Sequence, residues 1–198
     1  MKQNFAAMIL GGTGQVGGAA VAELLAIPDC REVVMVTRKP VAARSRVRNV
    51  VLDTGAADFA EQTAALAHEI LSQGPVSAVS CVGVGSGSMR LSEEELQRLE
   101  RGVVGAYARG CHNAGIAQFC LLSAAGSTAS SRFRYVRVMG MKEDTCATSV
   151  LPGSPSFAPA SLSATLILRP GPVGWEDSCL GRLAILISGF LLAPSPRR

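Results

Sequence analysis

Ile9-Leu10-Gly11-Gly12-Thr13-Gly14-Gln15-Val16-Gly17 stands between two runs of different period. Before it, Phe5–Leu10 is a short apolar run of strand length. After it, Gln15–Ala26 carries Val16, Ala20, Val21, Leu24 and Leu25 at helical spacing and stops before Pro28. The glycines satisfy both Gly12-x-Gly14-x-x-Gly17 and Gly11-x-x-Gly14-x-x-Gly17. Residues without a Cβ let a backbone turn tightly and approach a pyrophosphate, whose charge is then met by the free N–H groups of a helix start. Gly11, Gly12, Thr13, Gly14, Gln15, Val16 and Gly17 are therefore the expected pyrophosphate-binding turn. The next apolar run, Val33–Thr37, ends in Arg38-Lys39, where NAD sites place a carboxylate for the ribose 2′-hydroxyl. Two cations there favour a 2′-phosphate, hence NADP(H).

Strand and helix signals continue to alternate. Val47–Leu52 reads as a third strand, Ala57–Leu71 as a helix ended by Gly74-Pro75, and Val76–Val82 as a fourth strand followed by a loose loop, Gly83–Met89. Ser92 and Glu95 form a capping box for a helix that runs to Asn113. Phe119–Ser123, Arg132–Ala147 and Thr165–Leu168 follow as strand, helix and sixth strand. Strands buried on both faces with helical crossovers predict an α/β, doubly wound parallel sheet of order 3-2-1-4-5-6, a Rossmann fold with a short C-terminal part. Residues 1–198 read as one domain, with a surface insertion at 148–163 in which Pro152–Ser163 is rich in Pro, Ser and Ala.

Composition bounds the function. A hydrophobic share of 48%, a charged share of 17% and a net charge of +4 fit a soluble globular domain. Arg44, Arg46 and Arg48 have no interleaved aromatic residues, so they read as a solvated face or a cofactor-phosphate rim rather than a nucleic-acid surface. The six cysteines form no C-x-x-C pair and fall within apolar patterns, as buried thiols of a reducing compartment do. His68 and His112 are isolated, and no metal is expected. The first strand begins too early to leave room for a signal or transit peptide, so a cytoplasmic location is expected. The apolar stretch Leu183–Ala193 falls short of the roughly 20 residues of a spanning helix, and reads as a core helix or a peripheral membrane attachment.

Chemistry belongs in the loops after the strands. Asp53 can accept from the adenine amino group or cap a helix, and the two roles are compatible. Gly83 permits a close pass of the inner ribose, or belongs to a plain flexible loop. Ser123 closes the fifth strand and Tyr135 follows twelve residues later. A hydroxyl and a phenol on one carbonyl oxygen are the parts of proton delivery, although a phenol needs a nearby cation to lower its pKa from about 10. Position 139, where a lysine would supply that cation, is Met139. The alternative for Tyr135 is a half-buried aromatic on a core helix.

Leu121-Leu122-Ser123-Ala124-Ala125-Gly126, Ser131-Arg132-Phe133-Arg134-Tyr135, Gly140 and Ile167-Leu168-Arg169-Pro170-Gly171-Pro172 together resemble the atypical short-chain dehydrogenase/reductases. Within them the chain is most similar to the Tat-interacting-protein oxidoreductases and their fungal relatives of the mitochondrial outer membrane. The glycine turn, Arg38-Lys39 and the helix Arg98–Ala114 match the same family, so the resemblance covers about residues 5–180. It implies an NADPH-binding domain with Gly11, Gly14 and Gly17 on the pyrophosphate, Arg38 and Lys39 on the 2′-phosphate, and Asp53 by the adenine. Pro170 joins this cofactor set, and Ser123 and Tyr135 fall at the nicotinamide.

The chain departs from that pattern at Met139, at Ala124 in place of a second serine, and in stopping at Arg198 before a segment that walls the substrate site in relatives. Lys142 lies one turn beyond Met139, about 4.5 Å along the axis, and its stem can fold back to replace the lysine. General surface preference instead expects it solvated beside Glu143 and Asp144. Two functions follow. One is an NADPH-dependent oxidoreductase passing hydride to a small carbonyl or planar redox acceptor. The other is a non-catalytic NADP(H)-binding regulator or scaffold that has lost the relay. For either, the alternative to a cytoplasmic location is peripheral attachment at the mitochondrial outer membrane.

Overall fold

The computed structural model of the chain describes residues 4–124, 126–150 and 166–168. Its centre is β1 (Phe5–Leu10), in which every residue is buried. Period-2 alternation splits that strand between two apolar layers. Ala6, Met8 and Leu10 face a cluster shared with α2 (Phe59–Leu71), α4 (Val104–Asn113) and α5 (Arg134–Val150). Phe5, Ala7 and Ile9 face the opposite cluster, where Ala20, Val21 and Leu24 of α1 (Gln15–Ala26) pack. A strand apolar on both faces is what a covered parallel sheet requires.

The remaining strands are β2 (Cys30–Thr37), β3 (Val47–Val51), β4 (Val76–Ser80), β5 (Gln118–Leu122) and β6 (Leu166–Leu168). Their spatial order is β3-β2-β1-β4-β5-β6, as expected from the sequence. The first five run parallel. β6 departs from the fully parallel expectation: it pairs antiparallel with β5, Cys120 opposite Leu168 and Leu122 opposite Leu166. An apolar strand pattern carries no direction; only the path of the chain into it does.

α3 (Glu93–Gln97) begins at the expected capping box, Glu95 N–H donating to Ser92 Oγ at 3.1 Å and Ser92 N–H to Glu95 Oε2 at 2.9 Å. The helix then widens into a π segment, Arg98–Val103, before α4. The wide turn brings Leu96, Glu100, Val103 and Val104 together on the buried side. Tyr107 of α4 is wholly buried, its hydroxyl satisfied by the Met8 carbonyl at 2.8 Å and its ring 5.9 Å from that of Phe119.

Two local expectations change. The loop after β4 is not loose throughout, because Gly85–Arg90 forms a 3₁₀ turn. The Arg134 guanidinium ties that turn down through the carbonyls of Ser88 and Leu91, both at 2.7 Å. Residues 148–150, the start of the expected insertion, are the last turn of α5. The rest of that insertion, Pro170 and Leu183–Ala193 lie outside the described residues. Among the described residues, no helix is long and apolar enough to cross a membrane.

Candidate functional site

A cleft of about 230 Å³ opens at the carboxyl ends of β1, β2 and β4. Open parallel sheets bind ligands at such a point, where the strand order reverses. It is lined by Leu10, Gly11, Thr13 and Gly14, by Thr37 and Arg38 at the end of β2, and by Cys81, Val82 and Gly83 in the loop after β4.

The turn is built from contacts that only glycine allows. Gly11 has φ +84°, and a Cβ there would lie 2.7 Å from the Cys81 carbonyl carbon. At Gly17 a Cβ would fall 2.0 Å from the Gly11 carbonyl oxygen, so the helix can approach the turn only without a side chain. Gly14 differs: a Cβ there meets only the Gly11 oxygen, at 3.5 Å, leaving its other side open. Gly14 N–H closes the turn onto the Gly11 carbonyl at 3.1 Å, and the first helical bond runs from Gly18 N–H to the Gly14 carbonyl at 2.7 Å. The N–H groups of Gln15, Val16 and Gly17 therefore have no partner within the helix. No side chain caps them, and the first turn contains no acidic residue. A pyrophosphate fits this arrangement in shape and charge.

Arg38 is exposed and lines the cleft, whereas Lys39 is exposed beside it without lining it. The bend that presents them is fixed by Asn49, which sequence reasoning missed. Its amide donates to Thr37 Oγ1 at 2.7 Å and to the Met35 carbonyl at 3.2 Å, and its oxygen accepts from Val41 N–H at 3.1 Å. Thr37 in turn donates to the Lys39 carbonyl at 2.7 Å. Arg46 and Arg48 do not form a phosphate rim. Arg46 donates to the Cys30 and Leu25 carbonyls, and Arg48 pairs with Glu69 at 2.6 Å. Asp53 does not cap α2; its carboxylate accepts from Gly55 N–H at 2.9 Å in a tight turn, and the neighbouring Thr54 lines the cleft.

The largest departure concerns Lys142. The expected solvated lysine is instead wholly buried, as is Glu100 of the π segment, and the two form an ion pair at 2.8 Å. Glu100 also accepts from Val84 N–H at 2.7 Å, and Lys142 donates to the Val82 carbonyl at 3.4 Å. Together they hold the β4 loop against the cleft from behind. A clue to Glu100 was present in the sequence: it falls four residues after Leu96 and three before Val103, on the apolar side of its helix. Its partner, 42 residues away, left no local trace.

Ser123 is buried at the end of β5, and its hydroxyl meets Glu143 and, at 3.3 Å, Ser127. Among the described residues no hydrogen bond joins it to Tyr135. The Tyr135 phenol is raised above its ordinary value, first by burial and then by the Glu100 carboxylate. Glu143 is also raised, chiefly by burial, against the opposing pull of Ser123, Ser127 and Lys142. Burial likewise lifts the thiol of Cys81, in the cleft wall, to about 12, so it is no nucleophile near neutrality.

No family model matches the chain. The mitochondrial protein fmp52 of Aspergillus clavatus is 26% identical over 186 residues, covering 92% of this chain and 74% of the relative. Among solved structures, the oxidoreductase ylbE of Lactococcus lactis superposes with a TM-score of 0.55 at 18% identity, over 70% of this chain and 61% of that one. MoeE5, solved with UDP-glucuronic acid and NAD, superposes at 0.56 with 16% identity, over 75% of this chain and 50% of its own. The chain has a Rossmann fold. That is the fold its resemblance implied, and the chain spans half to three-fifths of those two solved proteins. The expected cytoplasmic location is overturned, because the fungal relative is a mitochondrial protein.

Proposed function

We propose that the protein binds a nicotinamide dinucleotide, with preference for NADP(H), and passes hydride to a small carbonyl or planar redox acceptor. The observation that carries this reading is the glycine turn leading into an uncapped helix start, with Arg38 on the wall of the same cleft. The Gln15–Gly17 N–H groups hold the pyrophosphate, and Arg38, with Lys39 further out, takes the 2′-phosphate. Asp53 or its neighbour Thr54 borders the adenine, and Gly83 gives the ribose room. Pro170, outside the described residues, belongs to the same set by resemblance. The dinucleotide supplies hydride; Ser123 and Tyr135 orient the acceptor oxygen. Following its fungal relative, we place the protein at the mitochondrion, held peripherally.

Thermal unfolding with each dinucleotide tests the binding. A ligand at one hundred times its Kd stabilises the native state by about 2.7 kcal/mol, so NADPH should raise Tm by several degrees and NADH by less. No shift with either would sink the reading. Arg38→Asp should lower affinity for NADPH relative to NADH roughly 10- to 100-fold, the worth of one or two charge-assisted hydrogen bonds. An unchanged ratio would remove Arg38 from the 2′-phosphate.

A second reading, an NADP(H)-binding regulator without turnover, is favoured by one observation. The charge of Lys142, which a tyrosine would need, is taken up by Glu100. Turnover of an acceptor panel separates the two. Under the enzyme reading the parent reduces an acceptor, and Tyr135→Phe, which removes the phenol that orients the acceptor oxygen, slows it severalfold while the NADPH thermal shift is kept. Under the regulator reading, parent and variant are equally inert.

A further inference from the structure

A tyrosine–lysine relay needs a lysine whose charge favours the phenolate. Here that charge is neutralised by a carboxylate at 2.8 Å, and the same carboxylate adds to burial in raising the Tyr135 phenol. Proton delivery through Tyr135 is therefore poorly supported by its surroundings. Ser123 has a different acidic partner. Its hydroxyl is bonded directly to Glu143 Oε1, from the third turn of α5, with Ser127 closing the other side. The groups around Glu143 are Ser123 and Ser127 from the β5 loop, and Lys142, Asp144 and Cys146 from α5 itself. Glu100, from the π segment, compensates Lys142.

We propose that Glu143 is the positioning and proton-holding residue of this site, acting through the Ser123 hydroxyl. The inference rests on the dinucleotide-dependent reduction proposed above. In the protonated state the bond between them reverses: the Glu143 O–H donates to Ser123 Oγ, leaving the serine hydrogen for the acceptor oxygen. Hydride from the reduced dinucleotide forms the new C–H bond as the carbonyl π bond breaks, and the dinucleotide is oxidised. The resulting oxyanion takes the proton of Ser123, Ser123 takes that of Glu143, and Glu143 is left as a carboxylate that solvent reprotonates. A half-buried carboxyl bonded to the serine, and holding its proton more tightly than an exposed glutamate because of that burial, suits this task.

Infrared titration of the dinucleotide-free protein gives a direct readout. A protonated-carboxyl band should persist above the ordinary glutamate range and vanish in Glu143→Gln. In Ser123→Ala it should persist to still higher pH, because the serine bond favours the charged form. With NADPH and phenanthrenequinone, the parent rate should fall as pH rises through that titration. Glu143→Gln, which keeps a hydrogen-bonding partner for Ser123, should be at least tenfold slower and flat over the same range. Its NADPH thermal shift should be unchanged. A band that survives Glu143→Gln, a variant with the parent's rate and pH profile, or no turnover in the parent would each overturn the proposal. Failure of the dinucleotide reading shows separately, as no thermal shift with NADPH in the parent, and overturns the proposal as well.

Discussion

Lys142→Met should destabilise the protein by about 3–5 kcal/mol, the cost of leaving a buried charge without its partner. Glu100 would remain wholly buried with one carboxylate oxygen bonded to Val84 N–H and the other unpaired. For a domain of this size that is a fall in Tm of roughly 6–20 °C. Glu100→Leu alone should cost a comparable amount by stranding the ammonium. The double variant Lys142→Met/Glu100→Leu should recover most of the loss, since well-packed apolar pairs often replace buried ion pairs at little cost. Urea unfolding of the four proteins gives the coupling directly. Additive effects would mean that the two charges do not compensate each other. Because the pair also grips Val82 and Val84, the single variants should loosen the cleft wall and weaken NADPH binding beyond their effect on stability.

The second large effect separates folding from binding within one turn. Gly17→Ala puts a methyl carbon 2.0 Å from a backbone oxygen and 2.8 Å from the Gly12 Cα, atoms that cannot rotate away. The helix must shift off the turn, at a cost of about 3 kcal/mol or more, well above the roughly 1 kcal/mol that alanine gains over glycine in a helix. Gly14→Ala meets only an ordinary 3.5 Å contact at φ −76°, a conformation alanine adopts freely. Its stability should change by less than about 0.5 kcal/mol. Its affinity for NADPH, measured by calorimetry, should nevertheless fall at least tenfold, because the methyl occupies the face left open to the pyrophosphate. A Gly14→Ala protein that binds like the parent would place the pyrophosphate elsewhere.

The glycine turn was legible because its geometry is local. Strand, turn and helix lie within residues 5–26, and Gly14 and Gly17 answer to Gly11, three and six positions away; Gly11 itself answers to a distant strand end, at Cys81. Both ends of α1, Gln15 and Ala26, follow from the same short-range rules. Elsewhere the local pattern was silent or misleading. α5 runs three residues past its expected end, to Val150, because nothing before Pro152 stops it. The 3₁₀ turn at Gly85–Arg90 depends on a guanidinium more than 40 residues away. Asp53 carried two expected roles, and the structure removes the helix cap by placing α2 several residues later.

The sequence by itself determined the order of the strands, the turn that can cradle a phosphate and the basic tip beside it. Those features rest on residue size, charge and spacing over one or two elements. Only the tertiary structure decided what the charged residues of α5 do. Lys142 and Glu143 are adjacent in the chain, yet one is wholly buried against Glu100 and the other is bonded to Ser123. A helix turns adjacent side chains about 100° apart, so the partner of each is set by which neighbouring element packs against that face. Those partners come from a helix and a strand end 42 and 20 residues away, and only folding brings them within reach.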